Sequence, residues 1–330
     1  MENLTLKQKI KQMFILGYEG DSPQSIQNKG FLSALNQGLG GVIFFTQNIT
    51  DRSSFKKSVE IIKKEAMIMP FLSIDQEGGR VERTLNLYNG SRYLSAKECA
   101  IKGEDFTKSQ TQAIAEELKD FGLNMNFAPV LDVNTNPDNP VIAERSFSDK
   151  TDIVLKFGKI AAETYLKNGI IPVGKHFPGH GNTSVDSHKE MPEETLPLSE
   201  LENIHIKPFK NLAKILPAVM VAHVHYSAFD KEKLPASVSK NVIQNYLRSK
   251  LDFRGLVVSD DMVMGGIKGF SSLDACIRAI NAGVNMFIFR NSDELTLRLF
   301  DEMEQAVLSG RVSMENIDKS IEIIQKVKCC

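Results

Sequence analysis

Eight short apolar runs, spread through 330 residues, constrain this chain more than any other feature. They occupy residues 12–17, 41–45, 70–74, 126–130, 171–175, 218–222, 255–259 and 285–289. Several are apolar at successive positions: residues 42–45 read VIFF, 256–259 LVVS and 286–289 MFIF. A strand with one wet face alternates polar and apolar residues. A strand covered on both faces does not, and parallel sheets cover both faces.

Segments of helical length separate the runs. Residues 51–67 begin with Asp51 as an N-cap and carry Phe55, Val59, Ile62 and Met67 at helical spacing. Residues 95–121 predict one long helix ended by Gly122, 151–168 a helix ended by Gly169, and 272–282 a helix ended by Gly283. Glycine just past the last turn is a common helix stop. Residues 313–327 predict the last outer helix. Eight strand–helix alternations fit one (β/α)8 TIM-type barrel, an α/β fold. A doubly wound sheet with a cap is the alternative. No Pro/Gly/Ser linker, repeat or low-complexity segment divides the chain, so residues 1–330 are expected to form a single catalytic barrel domain.

Composition narrows the function classes. Forty basic and 41 acidic side chains give a net charge of −1 without a long like-charge block. That speaks against nucleic acid and against an anionic membrane surface as partners. Cys99, Cys276, Cys329 and Cys330 are not spaced as a disulfide framework or a zinc site. The apolar run at 13–16 is too short for a signal-peptide core, and no stretch reaches the roughly 20 apolar residues of a spanning helix. A soluble protein of a reducing compartment is expected, and a monomer.

In a barrel the chemistry sits where strands end. The third run leads into Asp75, Glu77, Arg80 and Arg83. The fourth leads into Asp132 and Asn134, and the same loop carries Glu144 and Arg145. The fifth ends in Lys175, His176 and His180, the sixth in His223 and His225, and the seventh in Asp260 and Asp261. Asp and Asn often merely cap helices at such places, but five polar ends together predict a cleft. Gly169 to Lys175 imitates phosphate-loop spacing, yet His176 stands where Ser or Thr is needed and the intervening residues read as a strand. The histidines and carboxylates raise the idea of a metal, but no known ligand spacing is present, and neither metal nor cofactor is expected. Asp186 and His188 lie two apart. In an extended segment they point the same way, which pairs a carboxylate with an imidazole as a general acid/base requires. The alternative is an accidental pairing in a surface loop. Asp260 or Asp261 suits a nucleophile, or both suit helix caps. Residues 179–188, rich in Gly and Ser with Val185 as the one apolar anchor, are expected to move and to close over substrate.

The segment from Lys175 through His180 and Asp186 to His188 resembles the signature loop of the glycoside hydrolase family 3 β-N-acetylhexosaminidases of the NagZ type. Residues 74–83, 126–134 with 139–147, and 258–262 resemble that family in the same order. The resemblance implies a TIM barrel and retaining hydrolysis of terminal, non-reducing β-linked N-acetylglucosamine. It implies Asp260 as nucleophile, His188 as acid/base and Asp186 as its partner, with Asp75, Arg83, Arg145, Lys175 and His176 holding the sugar. A carbohydrate is then the partner: an N-acetylglucosamine-containing oligosaccharide, or a muropeptide of peptidoglycan recycling. Ala143 stands where many relatives have Gly, and residues 262–267 vary among relatives; neither is expected to touch the chemistry. Two alternatives remain on the residues alone. One is a phosphorylase, with phosphate in place of water; the other is an inactive sugar-binding barrel.

Overall fold

The computed structural model describes residues 4–329; Met1 to Asn3 and Cys330 lie outside it. Ten strands are present among the described residues: β1 Phe14–Leu16, β2 Gly41–Phe44, β3 Phe71–Ile74, β4 Met125–Asn126, β5 Ile171–Phe177, β6 Glu193–Glu194, β7 Ala218–Val221, β8 His225–Tyr226, β9 Leu256–Asp261 and β10 Met286–Phe289. Eight of them close into a barrel in the order β1-β2-β3-β4-β5-β7-β9-β10, with β10 returning to β1. Every pairing is parallel. The expected TIM-type barrel is what forms. The short pair β6–β8 stands apart from it.

The apolar runs become strands because both faces are covered. Val42, Ile43 and Phe44 of β2, and all four residues of β10, are buried. Helices form the outer ring and start and stop largely as the sequence predicts. Asp51 Oδ1 accepts from the Ser54 amide at 2.7 Å and caps Arg52–Glu65. Ser272–Ala282 ends at Gly283 in a left-handed conformation, φ 110°. Two expectations need correction. The helix predicted over 95–121 is two helices, Ala96–Lys102 and Glu104–Asp120. Gly103, at φ 99° and ψ −177°, turns the chain between them in a conformation open to glycine. The strand predicted at 126–130 is shorter and begins one residue earlier. Pro129 has no amide hydrogen and interrupts the ladder, and pairing beyond it is an isolated parallel bridge, Val130 with Lys175. Carbonyls of Ala128 and Pro129 still accept from Val173 and Lys175 at 3.0 and 3.1 Å.

Two irregularities matter for the site. Between β5 and β7, Gly174 pairs with Val219 but Phe177 with Val221, three steps against two. Between β9 and β10, Val258 pairs with Met286 but Asp261 with Ile288, again three against two. Each is a one-residue bulge at the carboxyl end of its strand. Successive strand residues ordinarily face opposite ways. The bulges break that alternation where Lys175–His176 and Asp260–Asp261 fall.

Candidate active site

A cavity of about 360 Å³ opens at the carboxyl ends of the barrel strands, at the small end of the range for ligand pockets. Seven of the eight expected site residues line it: Asp75, Arg83, Arg145, Lys175, His176, His188 and Asp260. The eighth, Asp186, bonds to His188 instead. Both members of each bulged pair are among the lining residues.

The floor is a lattice of paired charges. Lys175, only 2 % exposed, places Nζ 2.6 Å from Asp75 Oδ1 and 2.6 Å from Glu77 Oε1. Arg145 grips Glu77 with two bonds of 2.9 Å and donates a third to the Val141 carbonyl at 3.1 Å. Burial pushes the Glu77 and Asp75 carboxyls up, but Arg145 with Lys175, and Lys175 with Arg83, outweigh it and hold both below the usual carboxylate range. Arg145 thus serves chiefly as a strut. Arg83 differs: Nη2 lies 3.5 Å from Asp75 Oδ2, and its buried Nε has no partner, which leaves a donor for a ligand oxygen.

His176 is oriented from behind. Its Nδ1–H donates to buried Asp132 Oδ2 at 2.7 Å, and Nε2 has no partner among the described residues. Asp132 also accepts the amides of His176 (3.2 Å) and His180 (2.7 Å). Asp260 Oδ1 accepts from the Asp261 amide at 2.8 Å, and no described residue donates to Oδ2. Burial raises its affinity for a proton, yet nearby His176, His223, the Asp261 amide and Lys175 prevail and keep it ionised. His223 itself is fixed between the Ser237 hydroxyl (2.6 Å) and the Asp261 carbonyl (3.2 Å).

Asp186 and His188 pair as expected. One oxygen, Asp186 Oδ1, accepts both the His188 amide at 2.9 Å and its Nδ1–H at 2.8 Å. Nε2 is left free, and the ring is 55 % exposed. Burial pushes the Asp186 carboxyl up, but the two His188 bonds prevail and it sits below its ordinary range.

The loop carrying this pair is held by polar bonds rather than apolar ones. Buried His180 bonds Thr183 Oγ1 through Nδ1 (2.7 Å) and Ser187 Oγ through Nε2 (3.0 Å). Asn139 Nδ2 donates to the His180 carbonyl at 2.8 Å. Gly265 and Gly266 donate their amides to the carbonyls of His188 (3.0 Å) and Ser187 (2.9 Å). Residues 262–267 therefore do touch the candidate chemistry, against expectation: Met264 lines the cavity, and its two glycine neighbours dock the loop. A Cβ on Gly265 would meet the Lys189 carbonyl at 2.2 Å. Ala143 sits at φ 43°, in the left-handed region that glycine enters without strain.

Sequence reasoning placed Glu77, Asp132 and His180 at the polar strand ends without giving them a role, and missed Arg290. Glu77 had a signal. Three expected sugar-holding cations, Arg83, Arg145 and Lys175, beside Asp75 as the one expected sugar-holding carboxylate, call for a further anion. His225 was grouped with the polar strand ends but bonds the Leu234 carbonyl at 3.1 Å and does not line the cavity.

The chain matches the glycosyl hydrolase family 3 N terminal domain over residues 5–327. It is 31 % identical over 323 residues to a β-hexosaminidase A of Pseudoalteromonas piscicida, covering 88 % of this chain and 53 % of that protein. Its fold superposes with a TM-score of 0.90 on a family 3 β-N-acetylglucosaminidase of Paenibacillus sp. str. FPU-7, at 33 % identity, covering 99 % of this chain and 62 % of the other. A family 3 glycosyl hydrolase of Mycobacterium smegmatis gives 0.86 at 30 % identity, covering 98 % of this chain and 97 % of the other. The chain thus spans about half of the first relative's length and nearly all of the last.

Proposed function

Because this chain belongs to glycoside hydrolase family 3, we propose that it is a retaining exo-β-N-acetylglucosaminidase. It removes terminal non-reducing N-acetylglucosamine from muropeptides in peptidoglycan recycling, in the cytoplasm and as a monomer. Among the described residues no helix is long and apolar enough to cross a membrane. One observation carries the catalytic reading: His188, backed by Asp186, lines the same small cavity as an ionised Asp260.

Asp260 Oδ2 attacks the anomeric carbon as the bond to the aglycone breaks. His188, doubly protonated, gives its Nε2 proton to the departing oxygen. The neutral imidazole then takes a proton from water, whose oxygen displaces Asp260 and restores the β-configuration. Most retaining glycosidases use a second carboxylate in this role; an imidazole does not repel an anionic aglycone as a carboxylate does. Arg83 Nε, with no protein partner, and Asp75, held ionised, suit sugar hydroxyls. The same imidazole favours the second reading, phosphate as acceptor, since an anion approaches it readily.

The experiment is a trapping one. A 2-acetamido-2-deoxy-5-fluoroglycosyl fluoride is expected to label a peptide at Asp260, read by mass spectrometry. Label on Asp261 or Glu77 refutes the assignment. Assays with and without phosphate separate hydrolase from phosphorylase, and no turnover of any N-acetylglucosaminide leaves only the sugar-binding barrel.

A further inference from the structure

Four Lys or Arg side chains line the cavity, and three are committed to the floor. Lys175 bonds two carboxylates, Arg145 is chelated by Glu77, and Arg83 leans on Asp75. The fourth, Arg290, is different. It follows β10, belongs to none of the family-like segments, and is the most exposed of the four at 48 %. Its Nε pairs with Asp261 Oδ2, and its amide donates to Asp261 Oδ1 at 3.3 Å. Asp261 also takes the Val263 amide at 3.2 Å, so the carboxylate is held from three sides. Neither Nη1 nor Nη2 of Arg290 has an acceptor among the described residues. A guanidinium anchored through Nε presents its Nη edge in a fixed direction, and that edge matches the two oxygens of a carboxylate. Arg80, which does not line the cavity, is tied to Glu144 and to the carbonyls of 140–142.

Arg290 is thereby fixed to the residue next to Asp260, and it lines the cavity with His188, whose free Nε2 is the proton donor to the leaving oxygen. We propose that Arg290 selects the aglycone: its Nη edge binds a carboxylate on the sugar at the leaving side of the scissile bond. This rests on the glycosidase reading and deepens it, since it assigns a specificity residue to the leaving side of that site. Asp261 already offsets the guanidinium's charge, and Asp260 lies beside it. A monoanion with two coplanar oxygens therefore gains the fork geometry with less repulsion than a phosphate dianion meets.

The test compares N-acetylglucosaminyl-β-1,4-N-acetylmuramic acid with its methyl ester, which keeps the leaving group and removes the charge. The expected ratio of kcat/KM, acid over ester, is about five- to twentyfold at low salt. Charged hydrogen bonds reach higher, but a half-exposed guanidinium already paired to Asp261 falls short of that. The ratio is expected to fall toward one in 1 M salt, to approach one in Arg290→Met, and to be intermediate in Arg290→Lys. Because both substrates meet the same variant, general damage to the site cancels in the ratio. A wild-type ratio near one, or a ratio kept in Arg290→Met, overturns the proposal. Phosphate-dependent formation of N-acetylglucosamine 1-phosphate that Arg290→Met abolishes also overturns it, by assigning the edge to an acceptor. Failure to cleave the ester and an aryl N-acetylglucosaminide alike counts against the glycosidase reading instead.

Discussion

Asp186→Asn separates the loss of charge from the loss of geometry at the acid/base pair. Both His188 bonds land on one oxygen, Asp186 Oδ1. An asparagine that keeps its amide oxygen there accepts both bonds and so preserves the tautomer. This differs from the situation in serine proteases, where the same change imposes the wrong tautomer and costs about 10⁴-fold. What disappears is attraction between a carboxylate and the imidazolium that exists before proton transfer. Unit charges about 4 Å apart attract by roughly 1 kcal/mol in water and 4 kcal/mol near a protein surface. With the His188 ring 55 % exposed, the lower part of that range applies, about 1–2 kcal/mol after solvent screening. At about 1.4 kcal/mol per tenfold, the rate on a natural disaccharide should fall by roughly 5- to 30-fold. A dinitrophenyl glycoside needs no proton on its leaving oxygen. Its first step should be nearly unaffected, while the water step, which uses His188 as base, becomes limiting. Stopped-flow absorbance should therefore show a burst of dinitrophenol followed by slow turnover. Equal losses on both substrates without a burst would refute the role, leaving Asp186 a structural residue.

Four further outcomes are expected. Glu77→Gln removes the anion shared by buried Lys175 and Arg145 and should cost about 3–5 kcal/mol in urea unfolding; an unchanged midpoint contradicts the strut. Burial, with His176 adding to it, holds the His180 imidazole at about 4, below its ordinary 6.5. The unfolded chain then binds a proton that the folded one refuses, so the stability is full above pH 6.5 and lost as pH falls toward 4, by up to about 3 kcal/mol. A His180→Gln variant should lack this part of the pH slope, and identical slopes would exclude it. Gly265→Ala places a Cβ 2.2 Å from the Lys189 carbonyl; turnover of poor leaving groups should drop well before thermal stability does, and parallel losses would mean global unfolding. Ala143→Gly should relieve the left-handed strain at φ 43° and raise unfolding stability by about 1 kcal/mol.

The sequence showed what a strand carries within itself. All eight barrel strands were readable, because covered faces leave continuous apolar runs, and so were the polar ends that follow them. Asp186–His188 was readable because two residues apart in one segment is local information. Glu77's double duty, the clasp of Asp132 on His176, and the docking of Ser187 and His188 by Gly265 and Gly266 were not. Each depends on how far one strand or loop slides past another, which no single segment encodes. The break at Gly103 was hidden for a related reason: its neighbours all favour helix, and only the packing of two separate helices uses the glycine.

The bulges in β5 and β9 have a consequence for how such a chain can change its length. Each supplies the cavity with two neighbouring side chains from one strand end, Lys175 with His176 and Asp260 with Asp261. Deleting one residue within either stretch would restore regular alternation, turning one member of the pair toward the helices. Substitutions there can be graded, from mild to severe. Loss of one codon is all-or-none, since it leaves the barrel closed, stable and blind. A deletion series through 173–178 and 257–262 should therefore yield folded, inactive proteins.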